Sequence, residues 1–397
     1  MPAQAPRELE NTLIGLADRP DAEAAARLTE LGAADCAQTL LRELVSRAAL
    51  FPEPVGKTTV KVSLRLGGEL LGCGVTLGGG VAEVVPSAPR TAVASLAQDL
   101  VELLRAVYGA PGRYTATLEL HVAEPDRPLF DPADPAHAER AAAVTALHQL
   151  AAAIGGREQS LDELAVRFGS DKWGGHWYTP HYDRYFAPLR RRPVTVLEIG
   201  IGGYDAPDQG GASLRMWKHY FPRGTVYGLD IHEKHGIAEP RLVPLRGDQG
   251  DVRYLEGLAE GLGPFDIVID DGSHLNHHVL TSFRTLFPHV RPGGLYVIED
   301  VQTAYWPGWG GNATDLHDSG TSMGLVKNLL DGLNHQERQP DADAAGPSYT
   351  DRNVSGVHVH HNLVVIEKAV NTEQGAPSWV PRDVDPESWY TDAAKSN

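Results

Sequence analysis

Over the first fifty residues the apolar positions recur at spacings of three and four. Leu9, Leu13 and Leu16, then Leu28 and Leu31, predict short helices over 8–18, 21–31 and 36–48. The break Phe51-Pro52-Glu53-Pro54-Val55-Gly56 ends this block, and from Thr58 to Leu66 apolar and polar residues alternate as in a half-buried strand. Leu70–Leu77 and Val81–Val85 continue the strand pattern around the turn Gly78-Gly79-Gly80. Residues 90–108 read as helical and Tyr114–Val122 as a further strand, so an α+β unit with a small antiparallel sheet is expected. Ala123–Pro135, dense in prolines and acids, reads as a linker.

Beyond it lie an Ala-rich helix at 137–153 and another at 160–168, where Ser160 and Glu163 fit a capping box. The pattern then changes. Val194–Ile199, Thr225–Leu229, Phe265–Ile269 and Gly294–Ile298 are short apolar runs separated by helical stretches, as in a parallel sheet covered on both faces. Val357–His360 and Leu363–Glu367, on either side of His361-Asn362, predict a terminal antiparallel pair, with a polar arm from about residue 371. His358, His360 and His361 are read as structural. The expected domains are an α+β auxiliary domain at 1–135, a helical connector contributing to the cofactor site at 136–192, a catalytic domain at 193–370 and the arm at 371–397.

Charge narrows the partners. Across 397 residues, 52 acidic side chains outweigh 35 basic ones for a formal charge of −17, which argues against nucleic acid. No apolar run approaches the ~20 residues needed to cross a bilayer. Glu8, Glu10 and Asp18 leave no signal-peptide pattern near the start, so a soluble cytoplasmic protein is expected. Two cysteines, Cys36 and Cys73, make neither a disulfide framework nor a Cys-based zinc site.

The chemistry gathers at strand ends. The run Glu198-Ile199-Gly200-Ile201-Gly202-Gly203-Tyr204 places glycines directly after a strand, where backbone can approach a ligand. Asp205 stands where a dinucleotide fingerprint needs its third glycine. Asp230 can accept ribose hydroxyls, and Asp248-Gln249 can read an adenine amino edge. Glu198, Asp230, Asp248 and Asp270 thus fall at the carboxyl ends of successive strands. Acidic loops around a glycine turn favour S-adenosylmethionine, which is cationic, over a nucleotide. Short Asp and Gly residues are also good turn formers, the competing explanation.

A second group is Asp270-Asp271-Gly272-Ser273-His274, followed by Glu299-Asp300 on the neighbouring strand. Carboxylate oxygens select Mg²⁺ or Mn²⁺, so Asp271, Glu299 and Asp300 are candidate ligands, and His274 a candidate base at a helix opening. Helix capping would explain Asp271 but not the second pair. His277 and His278 are read as capping or packing residues. Gln302–Gly311, rich in aromatics and glycine, reads as either a lid over an apolar substrate or a surface loop with packed tryptophans.

At these residues the chain resembles the metal-dependent sugar O-methyltransferases of macrolide antibiotic biosynthesis. The likeness is carried by Phe168-Gly169-Ser170-Asp171-Lys172-Trp173, Trp177-Tyr178-Thr179-Pro180-His181-Tyr182, the Glu198–Tyr204 loop, Asp271-Gly272-Ser273-His274 and Glu299-Asp300. It implies an α/β fold: a Rossmann-like methyltransferase domain with a mainly parallel sheet after a smaller α+β auxiliary domain. It also implies Mg²⁺ on Asp271, Glu299 and Asp300 with His274 as base. The cofactor S-adenosyl-L-methionine would lie among Thr179, Glu198, Gly200, Gly202, Tyr204, Ser213, Asp230, Asp248, Gln249 and Asp270. The implied substrate is a deoxysugar hydroxyl on a macrolide or related glycosylated polyketide, and the implied assembly is a homotetramer. A catechol-type methyltransferase and a non-catalytic adenosyl-ligand sensor are the alternatives.

Overall fold

The computed structural model describes residues 4–123, 136–156, 158–338, 346–371, 374–377, 379–380, 385 and 387. The expected linker, apart from Ala123, and most of the expected arm lie outside them. The chain divides into two compact units, residues 1–254 and 255–397.

The first unit opens with helices α1 (Gln4–Leu16), α2 (Asp21–Leu31) and α3 (Ala33–Ala48). Strands β1 (Thr58–Leu66), β2 (Glu69–Gly78), β3 (Val81–Val85) and β4 (Ala94–Asp99) follow, then α4 (Leu100–Tyr108), β5 (Glu119–Val122) and α5 (His137–Gly155). The five strands lie in the order β3-β2-β1-β4-β5. Val60, Val62, Leu64 and Leu66 of β1 point into a core shared with Leu40, Leu41 and Leu44 of α3 and Leu147 and Leu150 of α5. Burying each such side chain is worth about 1.5–3 kcal/mol.

Three expectations change here. The stretch read as one helix at 90–108 begins as strand β4, whose Ala94, Leu96 and Gln98 are buried in alternation. Only then does Asp99 accept the Val101 and Glu102 amides and start α4. The sheet is also not wholly antiparallel, because β4 runs parallel to β1 while the other pairs are antiparallel. The strand expected over 114–122 is shorter, since Tyr114 and Thr117 instead meet Gln98 and the Asp99 amide.

Still in this unit come α6 (Leu161–Phe168), with the Ser160–Glu163 capping box formed, and α7 (Thr179–Phe186). Strand β6 (Thr195–Ile199), helix α8 (Ala212–Tyr220), β7 (Thr225–Asp230) and β8 (Leu242–Arg246) make a parallel β6-β7-β8 sheet. A buried ion network ties it to α3. Arg241, fully buried, pairs with Glu43 at 2.7 Å and donates to the carbonyls of Lys218, Phe221 and Gly224, while Lys218 pairs with Glu239 at 2.8 Å. Burial alone would push the Glu43 carboxyl up, but Arg241, Arg47 and Lys218 outweigh it and hold the group far below its ordinary range.

Helix α9 (Val252–Leu262) leads into the second unit, with β9 (Phe265–Asp270), α10 (Asn276–Leu286), β10 (Val290–Glu299), α11 (Ser322–Gly332), α12 (Tyr349–Asn353), β11 (Val354–His360) and β12 (Leu363–Lys368). β9 and β10 are parallel, and the antiparallel pair β11–β12 joins β10 through β12. All six residues of β9 are buried, the apolar four together with Asp266 and Asp270, as in a strand covered on both faces. His358 bonds Glu367 across the β11–β12 pair at 2.9 Å, a structural place. Cys36 and Cys73 are free, buried thiols, pushed up to about 11 by burial. Among the described residues no helix is long and apolar enough to cross a membrane.

Candidate functional site

In the first unit the candidate residues start where β6 ends. Glu198 is completely buried, forms an ion pair with the equally buried Lys172 at 3.4 Å and accepts the Ser213 hydroxyl at 2.9 Å. Lys172 belongs to the loop between α6 and α7, and its carbonyl accepts the Tyr178 and Thr179 amides. One loop therefore sets both the carboxylate's counter-ion and the start of α7. The Thr179 hydroxyl is buried without a hydrogen-bond partner in the structure, the condition of a group prepared for a ligand.

After Glu198 the backbone turns through left-handed conformations at Gly200, Gly202 and Gly203. A Cβ on Gly202 would meet no atom closer than 4.0 Å, whereas one on Gly203 would lie 2.5 Å from the Gln209 backbone. The first leaves room for a ligand and the second closes the loop on itself. Tyr204 also takes a positive φ; its ring stays exposed while its carbonyl is held by Lys234. Asp230, at the end of β7, accepts the Ile201 amide at 3.1 Å and the His232 amide at 2.9 Å, which binds the glycine loop to the neighbouring strand end. The Asp230 carbonyl accepts the Gly247 amide, and Asp248 accepts that of Gly250, so the turn carrying buried Gln249 is fixed to the same edge.

In the second unit the candidate residues lie at the ends of β9 and β10, whose parallel register sets Asp270 opposite Ile298. Asp270 is buried and accepts hydrogen bonds from Ser282 and from Tyr296, the latter at 3.5 Å. Burial and the nearby Asp270 push the Tyr296 phenol well up, so it remains a donor. Asp271, His274 and Asp300 bring one potential ligand atom each within 4.8 Å of one another, and a Glu299 oxygen comes within the same distance of one from Asp271. All three predicted acids therefore converge. Oxygen donors from two adjacent strand ends are what a hard divalent cation requires.

His274 differs in place from its expected helix opening. It sits in the loop two residues before α10, at φ 55°, with Nε2 3.6 Å from Asp300 Oδ2. Asp300 is left-handed too, at φ 53°. Such conformations cost of order 1–3 kcal/mol each and collect at functional sites. His278 meets Ser273 at 2.8 Å and stacks edge-on with His277, which agrees with their reading as packing residues.

Sequence reasoning gave Lys172 no role and missed Asn276 entirely. Asn276 is buried at the first turn of α10; its amide donates to the carbonyls of Thr303 and Trp309, both at 3.0 Å, and its oxygen accepts the Ser322 amide. The stretch 302–311 is thus a folded segment of two short 3₁₀ turns pinned to α10, presenting Tyr305, Trp306 and Trp309 partly to solvent. An Asn at the first position of a helix was the available signal.

Comparison with known proteins agrees with this geometry. A family model described as the MycE methyltransferase N-terminal region matches residues 11–118. The mycinamicin VI 2''-O-methyltransferase of Micromonospora griseorubida is 56% identical over 58% of either chain. The demethylmacrocin O-methyltransferase of Streptomyces fradiae is 46% identical over 87% of each. The solved structure of MycE with Mg, SAH and mycinamycin VI superposes with a TM-score of 0.81 at 40% identity, covering 97% of this chain and 99% of that one. The chain belongs to the metal-dependent sugar O-methyltransferase family of macrolide antibiotic biosynthesis.

Proposed function

We propose that this protein transfers the methyl group of S-adenosyl-L-methionine to a deoxysugar hydroxyl, at the 2'' or a neighbouring position, of a macrolide or related glycosylated polyketide. The observation that carries the proposal is the convergence of Asp271, His274 and Asp300 at two adjacent strand ends, with His274 and Asp300 on left-handed backbone. It has the donor set of a Mg²⁺ site and a basic nitrogen beside it.

In this reading Asp271, Glu299 and Asp300 hold the ion. Thr179, Glu198, Gly200, Gly202, Tyr204, Ser213, Asp230, Asp248, Gln249 and Asp270 surround the cofactor. A bound divalent cation supplies Lewis acidity, which makes a sugar hydroxyl easier to deprotonate. His274 Nε2 takes that proton, and Asp300, 3.6 Å away, stabilises the imidazolium that results. Lys172, 3.4 Å away, balances Glu198 and holds its carboxylate in place beside a cationic ligand. The partly exposed tryptophans of the 302–311 segment offer an apolar wall to the aglycone. Residues up to 135 serve as the auxiliary domain, residues 136–192 as the connector and 193–370 as the catalytic domain, in a cytoplasmic homotetramer.

The test is incubation with methyl-labelled cofactor and a panel of demethylated macrolides, with and without Mg²⁺ after chelation, and location of the new methyl by NMR. Label on a sugar oxygen only when the cation is restored supports the proposal. Undiminished transfer in excess chelator, or transfer to a simple catechol and to no glycoside, refutes it.

A further inference from the structure

The first unit holds a partly open cavity of about 140 Å³ whose lining includes none of the strand-end residues. Among the described residues its lining includes five guanidiniums, from Arg47, Arg190, Arg191, Arg223 and Arg241, against one carboxylate, Glu158. Behind the wall Glu43 pairs with Arg47 and Arg241, and Asp18 pairs with Arg223. Positive charge still exceeds negative. The lining imidazole, His219, adds none, because burial first and Lys218 second keep it neutral.

The donors are not all used. Arg223 is 9% exposed, and its Nε is buried with no hydrogen-bond partner in the structure. Arg190 is held in place, lying over the Tyr220 ring at 4.5 Å and donating to the Gln159 carbonyl, with Glu158 at 3.7 Å. Among the described residues Arg191 pairs with Glu158 alone, a side chain half exposed at the cavity edge. Burial and the charge of Arg47 both push the Arg191 guanidinium down, the mark of a cation short of counter-charge. Fixed forks of N–H donors in a partly dry cavity are the usual receptor for a tetrahedral oxyanion.

We propose that this cavity is an anion site for a small phosphate-class dianion, at which Glu158 is the internal competitor for Arg190 and Arg191. Part of the wall comes from α3, α4 and the end of α5, and part from the segments following α7 and α8. A bound dianion would therefore brace the amino-terminal helices against the elements that carry Ser213. No residue assigned above to the cofactor or the cation lines it.

Calorimetry on the full chain at fixed ionic strength, with inorganic phosphate in one arm, glycerol 3-phosphate in another and chloride as control, tests this. Saturable binding of one dianion per chain is expected in at least one phosphate arm, and the arm with the tighter binding identifies a free ion or an ester as the occupant. Arg191→Gln should weaken that binding about tenfold or more by removing a charged fork. Glu158→Gln should tighten it by about threefold to tenfold by removing the competitor. The opposite signs separate a site from general charge attraction, and Glu158→Gln alone decides the matter where Arg191→Gln does not fold. No binding above the chloride control, an affinity unmoved by both variants, or weaker binding in Glu158→Gln would overturn the proposal.

Discussion

At the residue scale the site depends on side chains whose backbone is held where a free chain would seldom put it. His274 at φ 55° is the clearest case, since the left-handed turn is what brings Nε2 to the carboxylates. His274→Ala should lower kcat by about 10²–10⁴-fold, the span of general-base loss. Cofactor affinity should change little. His277→Ala, whose ring packs on His278 instead, should stay within a few-fold of the parent. Steady-state kinetics of both variants with Mg²⁺ saturating decide it, and a larger loss in His277→Ala would move the base by one helical turn. Glu43 allows a prediction about pH. Its carboxyl lies below its ordinary value of 4.5 in the folded chain. The unfolded chain therefore takes up the proton first, and the stability from this group is present above about pH 4.5 and drains away as pH falls below it. Glu10, pushed up by burial and by Glu43, acts in the opposite sense. Comparing urea midpoints of the parent and Glu43→Gln from pH 7 to 3 isolates the term: the parent should lose stability on acidification more steeply than the variant.

At the scale of elements, local patterns were readable and distant partners were not. The capping box at Ser160, the turn at Asn362 and the strand-end acids each announce themselves within a few residues. β4 did not, because Val93, Leu96, Ala97 and Leu100 fit a helical spacing as well as Ala94, Leu96 and Gln98 fit an alternating one, and only pairing with β1 some thirty positions earlier selects the strand. The same holds for Lys172 and Asn276, whose side chains find partners 26 residues or more away. The convergence of Asp271 with Glu299 and Asp300 was legible because two adjacent parallel strands ending in acids can hardly place them elsewhere. Asn276→Ala removes two donated bonds and one accepted bond at a buried position, a loss of about 3 kcal/mol. The 302–311 segment should loosen first. We expect a higher KM for the glycoside acceptor with cofactor affinity unchanged within about twofold, measured by calorimetry beside kinetics. An equal rise in both constants would show that the unit as a whole had failed.

At the scale of the molecule, the first unit is joined across its length by ions rather than by apolar packing alone. Arg241 reaches Glu43 on α3 and three carbonyls around α8. Arg241→Met should destabilise by about 3–5 kcal/mol, because a buried carboxylate loses its nearest partner. Adding Glu43→Leu should restore most of that, since the orphaned charge goes with it. Chemical denaturation of the single and double variants measures the difference; a double variant no better than the single would mean that Glu43 keeps enough support from Arg47 and Lys218.

The order of strands in the second unit has a consequence for synthesis on the ribosome. β10, which ends in Glu299, takes β9 as one neighbour and β12 as the other, with Glu299 aligned to Leu363. β9 emerges before β10, but β12 follows only after about sixty further residues have been added. Until then the strand bearing the acids has an open edge, and its backbone donors and acceptors on that side are available to any passing strand. A nascent chain stalled between residues 300 and 360 would carry every candidate metal ligand and still lack the strand that closes the sheet beside them. Such intermediates are where a chaperone or a misplaced partner has its opening. The closing hairpin, remote from the chemistry in sequence, sets the moment at which the acids acquire a finished support.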